Sequence, residues 1–173
     1  MGNEIALWLC LGLGGCSTVF PYILPDTRTP TDHAHEVEPK CKGSPETAAA
    51  SYLAAASVDH VEPENAVVPS GNGQRSNLNG ARIYLVPMTG QSPETITRNL
   101  ECHQVRATLG QVAAQDDDPY VLPGRWLDIS AHSEGDGFSV RVTIDSIADA
   151  RRVLDRAQLL VAPRRHVAPL QAQ

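Results

Sequence analysis

A small two-layer α+β domain, with two helices over one face of a short sheet, is the fold that residues 81–161 predict. Three observations predict it. The apolar period switches between two and about 3.6 in the order strand, helix, strand, strand, helix. Both helical stretches open on a serine with an acidic residue close behind, Ser92-Pro93-Glu94 and Ser146 with Asp149. Between the two later strands lies Glu134-Gly135-Asp136-Gly137, whose glycines tolerate the positive φ of a hairpin.

The first strand is Ala81 to Pro87, with Ile83 and Leu85 on one face and Pro87 ending the ladder. Gly80 marks the turn into it. The helix from Ser92 closes at Gly110 and carries two stripes, Ile96, Leu100, His103 and Ala107 on one side and Cys102, Val105 and Leu109 on another. Such a helix touches two neighbours. Arg125 to His132 then alternates, Leu127, Ile129 and Ala131 against Trp126, Asp128, Ser130 and His132. Phe138 to Ile144 repeats the alternation. Setting Ala131 opposite Val140 and Ile129 opposite Val142 puts both apolar rows on one side, and a slip of one residue would put them all in water. The last helix starts at Ser146 and buries Ile147, Ala150, Val153, Leu154, Ala157 and Leu160. The order resembles a ferredoxin-type split unit lacking one strand, a likeness of topology that assigns no function.

The full chain has 173 residues and 42% apolar composition, which allows one globular domain. Ile5 to Leu13 is an uncharged apolar run ending in Leu13-Gly14-Gly15-Cys16. This resembles the signal peptide and lipobox of bacterial lipoproteins. The resemblance implies that residues 1–15 are removed, that Cys16 carries a diacylglycerol thioether and a further acyl chain such as palmitate, and that, with Ser17 next, the protein goes to the outer membrane and faces the periplasm. No later run reaches the length of a membrane span. Of four cysteines, Cys10 then leaves with the signal and Cys16 carries lipid, so Cys41 and Cys102 remain to form a disulfide in an oxidising envelope. The bridge would join an alanine-rich helix within residues 41–62, capped at Ser44, to the helix from Ser92. Residues 16–40 read as a flexible tether, 63–80 as a loop and 162–173 as a solvated tail. Losing residues 1–15 removes only Glu4 among charged groups, so the balance is 14 − 19 = −5, which argues against a nucleic-acid partner. The C-terminal module also resembles a loosely defined group of uncharacterised exported bacterial proteins, through Cys102-His103, the loop Tyr120 to Gly124, the glycine-rich hairpin and the final amphipathic helix. That likeness supports the fold and the bridge alone.

No Gly-x-Ser-x-Gly, phosphate loop, dinucleotide fingerprint or His-Glu-x-x-His is present, so the expectation is a non-catalytic protein without a cofactor. Asp128, Ser130 and His132 share one strand face, but positions two apart lie about 7 Å from each other, too far for a direct relay. His33 and His35, near Asp32, Glu36 and Glu38 and joined by His60, are the residue types that hold Zn²⁺ or Cu²⁺, and equally those of an acidic linker. His103 suits either a buried neutral imidazole or a base. Asp116 to Asp118 reads as a solvated loop. The expected interaction surface is the outer sheet face with Trp126, Asp128, Ser130, His132 and Arg141. The expected function is a lipid-anchored envelope protein that contacts another envelope component, the alternative being a periplasmic metal-binding or metal-sensing protein.

Overall fold

A computed structural model describes residues 27–71 and 73–161. The lipobox, Cys16 and the 162–173 tail lie outside the described residues. The fold is α+β. Its elements are α1 (Pro30–Val37), α2 (Ala50–Leu53), β1 (Val58–Ser70), β2 (Gly73–Leu85), α3 (Pro93–Thr108), β3 (Asp128–Glu134), β4 (Gly137–Thr143) and α4 (Ile147–Leu159). One antiparallel sheet has the order β1-β2-β4-β3.

The hairpin β3–β4 has the register expected from its apolar rows, Ile129 opposite Val142 and Ala131 opposite Val140. Of the two, β4 lies against β2, with Ile83 opposite Val140, and β3 forms the outer edge. Ser92 caps α3, its side chain accepting from Thr95 N, and Ser146 caps α4 by accepting from Asp149 N. These two helices cover one sheet face over a core that includes Ile83, Ile96, Leu100, Val140, Val142 and Val153, all essentially without exposure. The split unit read from the sequence is therefore present. The strand it lacked is supplied from the N-terminal side, where β1 pairs along β2.

Three expectations are corrected here. Residues 63–80 are not a loop, because β1 and β2 form a hairpin of 13 residues in each strand. Pro63 and Pro69 concealed it, yet β1 is an edge strand, where a residue without an N–H is tolerated. Gly80 accordingly sits inside β2 opposite Glu64, beside a bulge at Glu64/Asn65. Residues 41–62 are not one helix but short 3₁₀ turns (Glu46–Ala49 and Ala55–Ser57) around α2, and β1 starts at Val58. A helix of that length is marginal alone, and burial of Val58 in the sheet wins over the alanines. The tether reading fails from Pro30 onward. Thr29 and Asp32 form a reciprocal capping box, Thr29 N to Asp32 Oδ2 at 2.8 Å and Asp32 N to Thr29 Oγ1 at 3.2 Å, and α1 follows.

A second, smaller apolar cluster lies on the other side of α3, where Ala34, Cys41, Cys102 and Val105 pack with Val37, Leu109 and Trp126. Cys41 and Cys102 are disulfide-bonded, with Cα atoms 5.4 Å apart. The two stripes of α3 thus face two clusters, as its sequence implied. Ile147 and Gln104 depart from expectation. Ile147, at the start of α4, is 55% exposed, and Gln104 is buried where no apolar residue was expected. Its amide, oriented as its partners demand, accepts from Leu127 N at 2.7 Å and donates to Leu127 O at 3.2 Å. That pairing anchors the entry to β3 on α3.

Candidate functional site

With both long helices on one side, the other face of the sheet carries no helix among the described residues, and its outward residues form a grid. Cross-strand pairing aligns His60, Tyr84, Ser139 and His132 in one row, Glu62, Arg82, Arg141 and Ser130 in the next, and Glu64, Gly80, Thr143 and Asp128 in the third. Four of the five residues expected to form an interaction surface, Asp128, Ser130, His132 and Arg141, are on this face. Trp126 is not. It precedes β3, is half-buried in the smaller cluster and stacks on His33 with ring centroids 5.2 Å apart. Ser130 Oγ and His132 Nε2 lie 3.4 Å apart, closer than the backbone spacing suggested, because the two side chains lean toward each other.

Sequence reasoning missed the centre of this face. Arg82 and Arg141 are directly opposite each other on β2 and β4, an unfavourable like-charge pair. Glu64 resolves it, accepting from Arg82 Nε at 2.9 Å and Arg141 Nη2 at 2.6 Å while only 5% exposed. Gly80, directly across from Glu64, adds no side chain to that spot. Burial alone would push the Glu64 carboxyl up, but the hydrogen bond from Arg82 and the charge of Arg141 hold it below the usual carboxylate value. Asp149 behaves alike. Burial is opposed by hydrogen bonds from Arg125, Arg152 and Ser146, and its pKa is lowered. The signal for Glu64 was the period-two run His60, Glu62, Glu64, which Pro63 masked.

A carboxylate whose pKa is lower folded than unfolded stabilises the fold above its ordinary value and loses that contribution as pH falls through the folded one. Wild-type stability to urea is therefore expected to drop as pH falls below the ordinary values, 4.5 for Glu64 and 3.8 for Asp149. The E64Q variant should show a shallower fall than wild type over that range. Parallel pH profiles for the two proteins would show that Glu64 is not the linked group.

The other candidate residues are scattered. His35 pairs with Glu38 at 3.5 Å, and His60 pairs with Asp59 at 2.7 Å and stacks on Tyr84. No three His, Cys, Asp or Glu side chains among the described residues group as metal ligands would, so His33, His35 and His60 are not brought together. His103 leaves the apolar stripe for a polar role, with Nε2 2.6 Å from Asp118 Oδ2. Asp118 itself is buried, and its Oδ1 accepts from Tyr120 N at 2.8 Å. Asp118 is thus no solvated loop residue. With Arg156 donating to Asp118 O and Val121 O, it fastens the long α3–β3 connection down, carrying Tyr120 into the core. Burial, with the charge of Asp118 and the nearby Tyr52, pushes the Tyr120 phenol far up, so it stays protonated. These groups stabilise the connection.

Comparison with protein-family models, with curated proteins and with solved structures gives no match.

Proposed function

We propose that this chain is a lipid-anchored protein of the bacterial envelope, held at the outer membrane through Cys16 and facing the periplasm, and that it binds another envelope component without catalysis. The observation that carries the binding role is the helix-free sheet face, where ordered polar and aromatic side chains stand in register across four strands. Such a face offers hydrogen-bonding groups already held in position, which lowers the entropy cost of association. The Cys41–Cys102 bridge agrees with an oxidising compartment.

The test has two arms. Metabolic labelling with palmitate should mark the wild-type chain and not the Cys16→Ser variant, with membrane association lost in parallel; an unlabelled wild type would remove the anchor. A photo-crosslinking amino acid placed at His132, which is exposed on the helix-free face, should yield a discrete adduct in envelope fractions. The same group at Arg151, exposed on α4, should not. No adduct from either position, or the same one from both, would sink the binding face.

A further inference from the structure

At one end of the helix-free face the start of β1, the end of β2 and the β3–β4 turn enclose an open groove of about 420 Å³. Its aromatic and aliphatic wall includes Tyr84, Pro87 and Phe138, and its charged groups are Asp59 and Glu134, with no lysine or arginine among the lining residues. His60 lies flat on Tyr84, the ring centroids 4.0 Å apart and the planes 11° from parallel. Asp59 Oδ2 accepts from His60 Nδ1 at 2.7 Å, which fixes the imidazole. Tyr84 donates its hydroxyl to Glu62 at 3.1 Å, which fixes the phenol.

We propose that this groove receives an arginine side chain of the partner protein. A guanidinium is planar and weakly hydrated, stacks on aromatic rings and donates in a fork that matches carboxylates. The groove offers the complementary set: a flat, fixed aromatic pair, with Asp59 and Glu134 among the residues that line it. An anion would face two carboxylates with no lysine or arginine to offset them. An apolar group would desolvate them without return. A protein side chain is favoured over a free cation because the groove is continuous with the grid, its His60–Tyr84 pair being the first two positions of the outermost row. The inference rests on the binding face proposed above and names what that face reads.

The experiment titrates the full chain with the peptide acetyl-Gly-Arg-Gly-amide, following backbone amide shifts by NMR. Shifts should centre on Asp59, His60, Tyr84 and Glu134, with a Kd on the order of millimolar for one exposed side chain. The citrulline analogue, isosteric and uncharged, should bind at least about tenfold more weakly, as loss of charge-assisted hydrogen bonds implies. The D59N/E134Q variant should show a similar loss with its melting temperature unchanged, since both residues are exposed. Equal binding of arginine and citrulline peptides, shifts centred elsewhere, or an unaffected D59N/E134Q variant would overturn the proposal. Equal shifts with tetramethylammonium would assign the groove to a headgroup-type cation and overturn it too. If the peptide fails while crosslinking from His132 persists, only the groove assignment falls. If the peptide binds and crosslinking fails, the partner face falls and the cation preference stands.

Discussion

Replacing both Cys41 and Cys102 with alanine is expected to destabilise the protein by about 4 kcal/mol, the loop-entropy value for a cross-link spanning 61 positions. The loss will be uneven. The bridge is the covalent centre of the smaller cluster, to which α1 contributes Ala34, Val37 and the stacking of His33 on Trp126. The sheet core shares none of those residues. Urea unfolding should therefore show a broadened or split transition, and proteolysis should cleave near α1 in the C41A/C102A variant before the sheet opens. A midpoint within about 1 kcal/mol of wild type, with α1 still protected, would show that apolar packing alone seats the N-terminal segment.

The second large effect is expected at Gly80. A Cβ built there lies 1.9 Å from the carbonyl oxygen of Val142, a backbone atom of the neighbouring strand that cannot rotate away. Gly80→Ala must therefore part β2 from β4 where Gly80 faces Thr143, at a cost on the order of 3 kcal/mol. The Glu64 clamp should loosen with it. Gly137 is a second such contact, 2.3 Å from Leu85 O, but it lies at the hairpin turn, where the chain has more room to shift. Urea denaturation of both variants orders the two, and a Gly80→Ala protein as stable as wild type would mean that the strands adjust freely.

Much of the fold was legible because residue chemistry and burial agree there. Ile129, Ala131, Val140 and Val142 allow one register, and the structure has it. Ser92 and Ser146 announce their helices and cap them. What stayed hidden had local chemistry pointing elsewhere. Prolines in Val58–Ser70 argue against a strand until one knows that it is an edge, a fact of topology. The alanines before Val58 favour a helix until the sheet claims that valine. Thr29 and Asp32 spelled out a cap, but the acid and proline around them matched the composition of a linker.

The candidate site was half legible for a related reason. Alternation in β3 and β4 reveals which residues point outward, so Asp128, Ser130, His132 and Arg141 were recoverable. It cannot reveal who stands across the next strand. Glu64 is 77 positions from Arg141, and only the added hairpin brings them within hydrogen-bonding distance. Trp126 fits the alternation of its own strand but lies just before the ladder begins, and α1 takes it up.

The two rims of the sheet are guarded in different ways. Along the outer border of β3, Ala131 already gives its N–H to the hydroxyl of Thr97 at 2.8 Å, and the opposite border, β1, is interrupted by Pro63 and Pro69. Among the described residues, neither margin presents an unbroken template for a foreign strand. Crowding such molecules together should leave them as separate bodies instead of seeding fibres.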